Sequence, residues 1–452
     1  MFKRKLFYKL LDWKKASARK PLILRGTRQV GKSTLVKDFA KEYEHKIMLN
    51  LEKPSDASIF LDLNSTNEIV ELLLYRSSIS GSEQNVLLFI DEIQQVPQAI
   101  AHLRYFYEEH PNFHVIAAGS LLEIVLKDIE SFPVGRVEQW VLKPFDFEEF
   151  LWAKGDKKLS ELLDQIPIPN FAHQLLLNAF HEYVLVGGMP EAVKTYLQKE
   201  SLVSVKSIYE NLWLAYIEDS EKYSNNSTEK KVIRHVFQTA IFEKDRINFA
   251  GFGSSNYRSR EISEAFTLLG KAGVMNLLYP TTSNQLPLQP SFKRKPRIQL
   301  LDTGLLNYLS GWQEQLIGLK DLMGFQSGKI VQHQVIQEHW AQHHSPLFKP
   351  MFWVREKSNS NSEVDLLISV KGKVIPVEIK SGTHGRLRSL HQFIDISESE
   401  VAIRVLQNKL SLEEVKTPSG TNYKLLNLPY YLSGRLEQYG EWLLTYSSNK
   451  NA

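Results

Sequence analysis

Hydrophobic positions along this chain fall into three successive patterns. The first third carries short unbroken blocks, Leu22 to Leu24, Val86 to Ile90 and "FHVIAAGS", each ending in glycine or acid. Such blocks predict parallel strands covered on both faces. After the first block, Leu35, Val36, Phe39 and Ala40 recur at helical spacing. From about Phe145 to Tyr223 the spacing is helical throughout, as in "FAHQLLLNAFHEYVLVGG", with Gly187 and Gly188 interrupting. Helix-like runs such as "KVIRHVFQTAIFEK" and "RSREISEAFTLLGKAG" follow the polar stretch "YSNNSTEKK", ahead of a hairpin-like segment to "RKPRIQLLDTGLL". In the last third the pattern shifts to alternation in "EVDLLISV" and "VIPVEIK", the period of strands.

The order predicts an α/β chain in four parts: a nucleotide-binding core over 1–155, a helical lid over 156–224, a winged-helix-like part over 225–312 and a second α/β domain over 320–445. At 452 residues the chain is long enough for several cores. Hydrophobic residues at 43% and charged residues at 23% are ordinary for a globular protein, and no apolar run approaches the roughly 20 residues of a membrane span. The start, "MFKRKLFYKLLDWKKASARK", lacks the apolar core of an export signal, so a cytoplasmic protein is expected. The absence of cysteine excludes disulfides, thiolate metal sites and cysteine nucleophiles. A net charge of +4 neither demands nor excludes nucleic acid as partner.

The chemistry enters with "PLILRGTRQVGKSTLVKDFA", in which Gly26, Thr27, Arg28, Gln29, Val30, Gly31, Lys32, Ser33 and Thr34 form a P-loop between a strand and a helix. Glycines let backbone N–H groups converge on a polyphosphate at a positive helix end. Lys32 is expected on the β- and γ-phosphates of ATP, and Ser33 on Mg2+. "NVLLFIDEIQQVP" supplies the complementary acids: Asp91 to hold the magnesium water shell, and Glu92 as general base for water. After the next strand, Ser120 reads as a γ-phosphate sensor or as a helix cap, since Glu123 follows three residues on. Arg136, in "SFPVGRVEQW", is the candidate finger for a neighbouring subunit's γ-phosphate, which implies a homo-oligomer.

The segments "GTRQVGKST", "LLFIDEIQQVP", "AAGSLLEI", "FPVGRV", "PFDFEEFL" and "VGGMPEAV" together resemble the prokaryotic AAA-type (AAA+) P-loop ATPases that carry a C-terminal domain of unknown function. That resemblance implies an AAA+-like ATPase in front and a domain resembling the PD-(D/E)xK nuclease fold behind. In the middle, Arg258 and Arg260 open the expected recognition helix of the winged helix, with Lys293, Arg294, Lys295 and Arg297 on its wing, a footprint suited to DNA phosphates or equally to an idle basic surface.

Within "EVDLLISVKGKVIPVEIKSG", Glu378 and Lys380 are two apart and share a strand face, and a turn at Lys371–Lys373 brings Asp365 beside Glu378. This arrangement resembles the nuclease triad, with Asp365 and Glu378 as ligands of Mg2+ and Lys380 orienting water. The resemblance expects a helix acid before these strands, yet Gln332 stands there and Glu338 lies further along the helix. Two functions remain open at this stage: an ATP-dependent DNA-handling enzyme, or an ATP-gated switch whose nuclease-like domain binds without cutting.

Overall fold

The computed structural model describes residues 1–125, 132–224, 226–243, 246–311, 328–355, 362–382 and 386–449. The chain divides into two compact units. The first comprises Met1–Lys143 with the short segments Lys271–Val274 and His344–Leu347, and the second holds the rest. The cut falls between Lys143 and Pro144, ahead of the boundary expected at 155, and residues 156–224, the expected lid, lie in the second unit. The boundary expected between 312 and 320 lies outside the described residues.

In the first unit, α1 (Lys5–Lys15) precedes five strands: β1 (Leu22–Arg25), β2 (Lys46–Asn50), β3 (Val86–Asp91), β4 (Phe113–Gly119) and β5 (Glu138–Val141). They form one sheet in the order β2-β3-β4-β1-β5, every pair parallel. β3 and β4 are buried at every position, which is why their sequences are unbroken hydrophobic blocks. The connecting helices are α2 (Lys32–Phe39), α3 (Pro54–Asp62), α4 (Thr66–Ser77) and α5 (Gln98–Glu109), and the single turn α6 (Leu122–Val125) follows β4. Ile59 and Phe60 of α3, Ile69 and Leu73 of α4, and Leu103 and Phe106 of α5 meet Leu88 and Ile90 of β3 in one apolar cluster.

The second unit begins with helices α7 (Phe147–Lys154), α8 (Lys157–Leu162), α9 (His173–Val186), α10 (Pro190–Lys199) and α11 (Val203–Lys222). Then come α12 (Ser227–Thr239), α13 (Ser259–Lys271) and an antiparallel pair, β6 (Met275–Leu278) with β7 (Arg297–Leu300). Helices α14 (Thr303–Leu309) and α15 (Gly328–Ala341) lead into a six-stranded mixed sheet of β8 (Met351–Val354), β9 (Glu363–Val370), β10 (Lys373–Ile379), β11 (Val401–Leu406), β12 (Ser411–Lys416) and β13 (Asn422–Pro429). Its order is β12-β13-β11-β10-β9-β8, with β10, β11 and β13 parallel and the other neighbours antiparallel. The short α16 (Arg388–Ile394) lies between β10 and β11, and α17 (Leu436–Asn449) follows β13.

Buried polar side chains explain why the expected lid belongs to this unit. Asp302, fully buried, caps α14 through Leu305 N, accepts from the Tyr209 hydroxyl of α11 at 2.8 Å and from Gly188 N at 2.7 Å. Glu338 of α15 accepts from the Tyr183 hydroxyl of α9 at 2.7 Å and from Phe147 N at the start of α7 at 3.2 Å. A buried carboxylate needs such donors, and separating these helices would leave each one unsatisfied.

Candidate functional site

Strand register assembles the first site. Leu24 of β1 and Ile90 of β3 pair with Ala118 and Ala117 of β4, so the P-loop, the acids after β3 and Ser120 all emerge at the same sheet edge. The loop has a backbone that side chains resist: Gly26 at φ 150°, Gln29 at φ 66° and Gly31 at φ 96°. At Gly26 a Cβ would lie 2.5 Å from the Leu142 carbonyl oxygen, so glycine is required there by space as well as by torsion. Gly31 precedes the first turn of α2 and its carbonyl accepts from Leu35 N at 2.9 Å.

Lys32 is buried and folded back on its own loop, donating to the carbonyls of Gly26 at 2.8 Å and Thr27 at 3.1 Å. Burial pushes its ammonium down to about 8, and the charges of Glu92 and Asp91 act in the opposite sense. Asp91 is buried at the end of β3 and accepts from Glu92 N at 3.2 Å through Oδ1. Glu92 adopts a left-handed conformation, φ 53°, that costs a non-glycine residue about 1–2 kcal/mol. Its carboxylate accepts from Gln94 Nε2, and burial holds its pKa above the ordinary carboxyl range. Gln94 Oε1 is buried without a hydrogen-bond partner.

Gln94 went unnoticed in the sequence. The signal was present in "DEIQQVP", where a short turn brings the residue two positions on back toward the acid. Gly119 leaves room for this amide, since a Cβ there would collide with Gln94 Oε1. Ser120 is half-buried beside the same edge, and Ser33 is half-buried in the first turn of α2. Arg136 pairs with Glu108 of α5 at 2.9 Å, and its side chain is 43% exposed, so within this unit it serves a surface ion pair.

The second site lies in the mixed sheet. Val377 of β10 stands opposite Leu366 of β9, and the register carried one step further sets Glu378 against Asp365, as the alternation predicts. Asp365 Oδ2 accepts from Ile379 N at 2.9 Å, while Oδ1 accepts from Gln332 Nε2 at 2.6 Å and lies 3.2 Å from Arg297 Nη2. Glu378 is buried, with one oxygen bonded by Lys380 Nζ and the other, Oε2, without a partner. Burial first, and the charge of Asp365 second, push its carboxyl up to about 7.

One expectation is corrected here. Arg297 is no solvent-exposed wing residue: it is buried, pairs with Glu363 and Asp365, and stacks on the Phe352 ring at 4.3 Å. Glu338 is occupied by Tyr183 and Phe147 N, so no second helix acid joins Asp365 and Glu378. Arg260 is exposed and paired with Glu264 at 2.8 Å, and Lys293 and Lys295 are exposed.

A glycine loop with no room for Cβ, a buried lysine and two strand-end acids thus meet at one edge of the first unit's parallel sheet. The sequence comparison agrees: residues 18–151 match the family described as AAA domain. Residues 177–316 and 327–431 match two domains of unknown function, DUF8612 and DUF4143. No curated protein matches the chain.

Among solved structures, the Walker-type ATPase of Pyrococcus abyssi is similar at 16% identity and TM-score 0.43, over 69% of this chain and 96% of that one. The Holliday junction branch migration motor RuvB of Thermotoga maritima is similar at 15% identity and TM-score 0.28, over 65% and 93%. The Aeropyrum pernix ORC1 protein in complex with DNA is similar at 14% identity and TM-score 0.28, over 68% and 91%. Among the described residues, no helix is long and apolar enough to cross a membrane.

Proposed function

We propose that the protein is a cytoplasmic Mg2+-dependent ATPase whose nucleotide cycle serves a DNA-associated process. The observation that carries this reading is the meeting of Gly26–Thr34, Asp91 and Glu92 at one sheet edge, with Lys32 buried among them. The residues fit the nucleotide: Gly26 tolerates no Cβ, and the loop opens at the start of α2, where backbone N–H groups attract anions. Lys32 leaves the Gly26 and Thr27 carbonyls for the β- and γ-phosphates, Ser33 and Asp91 hold the metal, and Glu92 takes a proton from water. Bound Mg2+ supplies charge neutralisation on the phosphate oxygens. Ser120 stands at the same edge for the γ-phosphate, and Arg136, released from Glu108, is offered to a second copy in a homo-oligomer.

For the second unit, the reading is a PD-(D/E)xK-like domain preceded by a winged-helix-like part, with Asp365 and Glu378 holding a divalent cation beside Lys380. The unpartnered Glu378 Oε2 supports a cation there. DNA cutting would use that cation to stabilise charge on a scissile phosphate. The second reading, an ATP-gated switch or scaffold whose nuclease-like domain binds DNA or protein without cutting, is favoured by Arg297 and Gln332, which already engage Asp365. The deciding experiments are ATP turnover in Lys32→Ala and Glu92→Gln chains, and Mg2+- or Mn2+-dependent DNA cleavage compared between the parent and Glu378→Ala. Cleavage lost in Glu378→Ala establishes the enzyme; no cleavage on any DNA tested establishes the switch.

A further inference from the structure

A different cluster lies at the end of α15 and the start of α17. His339 sits in the last turn of α15 and His343 two residues beyond its end, with their rings 5.0 Å apart. Glu437, in the first turn of α17, faces them. One ligand atom from each of the three, two imidazole nitrogens and a carboxylate oxygen, lies within 4.8 Å of both others. His339 is buried, while His343 and Glu437 are half-buried, so the cluster is reachable from solvent yet backed by protein.

The details separate this cluster from a chance ion pair. His343 Nε2 lies 3.2 Å from Glu437 Oε1 but is buried without a directed hydrogen bond. A tetrahedral site with bonds of about 2.0–2.1 Å has ligand atoms roughly 3.3–3.4 Å apart. The His343–Glu437 pair meets that spacing, and the third ligand atom lies within 4.8 Å of both. The His343 ring is fixed by stacking on Phe348 with centroids 3.6 Å apart, and the His339 ring meets the same Phe348 edge-on at 5.6 Å.

We propose that His339, His343 and Glu437 form a binding site for a first-row divalent cation of the zinc class, clasping α15 to α17. An N,N,O donor set without thiolate suits Zn2+, Co2+ or Ni2+ and disfavours Ca2+ and Mg2+, which take oxygen ligands. Three protein ligands leave a fourth position for water. The clasp bears on the second unit as a whole, because α15 also carries Gln332, which bonds Asp365, and Glu338, which bonds Tyr183. The site is independent of the Asp365–Glu378 pair and of the ATPase reading.

The test uses the full chain stripped with chelator, titrated with Co2+ and Zn2+. The expected result is one tight Zn2+ per chain, a ligand-field spectrum on Co2+ addition, and a melting temperature that rises with Zn2+. Outer-shell partners of metal ligands already contribute about 10–100-fold in affinity. Losing a ligand in His343→Ala or Glu437→Gln is therefore expected to weaken binding at least that much and to erase the spectrum, whereas Glu378→Gln retains both. His339→Gln, which keeps a polar side chain at the buried position, separates lost binding from lost folding. Absence of a Co2+ spectrum in the parent chain, or tight Zn2+ binding that survives in both His343→Ala and Glu437→Gln, would overturn the site.

Discussion

Gln332 Nε2 donates to Asp365 Oδ1 at 2.6 Å, so an amide stands where the nuclease resemblance expects an acid. The two residues make opposite demands on the site. An amide satisfies a lone carboxylate, whereas a third carboxylate would need a cation between them. Gln332→Glu is therefore expected to destabilise the metal-free chain by about 1.5–3 kcal/mol, the range of a lost hydrogen bond to a charged group. It should also enlarge the stabilisation that Mn2+ confers. Urea unfolding with and without Mn2+ reads both effects, and equal stability of parent and variant without metal would contradict the prediction.

The proposed hydrolysis would depend on Lys32 and Glu92 in different ways. Lys32→Ala is expected to remove turnover together with tight nucleotide binding, while Glu92→Gln retains bound ATP and loses turnover by about 100-fold or more. Radiolabelled nucleotide retention and phosphate release separate the two. Turnover close to the parent value in either variant would end the P-loop mechanism.

The Gln94 amide lowers the pKa of Glu92 through its hydrogen bond, against the upward push of burial. Gln94→Leu removes that bond, so the pKa of Glu92 rises and a higher pH is needed to ionise it. The acidic limb of the kcat–pH profile is expected to move to higher pH. An unmoved limb would mean that Gln94 does not touch Glu92 during turnover.

His333 is buried with Nδ1 at 2.7 Å from the Thr303 hydroxyl, and burial pushes its pKa down to about 3. Its folded pKa lies below the unfolded value, so on acidification the unfolded chain takes up this proton first. Stability from this residue is complete above about pH 6.5 and falls by about 1.4 kcal/mol per pH unit between there and about pH 3. His333→Gln is expected to flatten the slope of unfolding free energy against pH by one proton. Denaturant curves at pH 7 and pH 5 measure it.

Tyr183 joins α9 to α15 through Glu338 Oε1 and reaches the Phe145 carbonyl, both at 2.7 Å. Tyr183→Phe keeps the ring and removes the donor. A loss of about 1–3 kcal/mol is expected, because buried acceptors are left unmet. Chemical denaturation monitored by tryptophan fluorescence checks it, and a change below about 0.5 kcal/mol would show that the pair carries little.

The first unit was legible because each step of its chemistry is local. Gly26 to Thr34 and Asp91–Glu92 are contiguous, and a fully buried strand declares itself by unbroken hydrophobicity. The sheet edge then follows from parallel connectivity. The second unit was legible only in pieces. Alternation found β9 and β10 and set Asp365 near Glu378, but it could not show that Arg297, from a strand many residues earlier, reaches the same carboxylate. Charge alone grouped Arg297 with the exposed wing lysines, and long-range ion pairing decided otherwise for that one residue. The edge strand β12 was missed, since "SLEEVK" is mostly exposed and offers only a weak alternating signal. What Glu338 meets, Tyr183 and Phe147, depends on helix packing that no spacing rule reports.

Lys32 rests on the carbonyls of the loop that presents it. On the proposed reading, a triphosphate would compete with two backbone oxygens for an ammonium that is already hydrogen-bonded. Affinity would then measure a trade between partners instead of a fresh attraction, so a change that loosens those two carbonyls would alter nucleotide uptake without touching a phosphate.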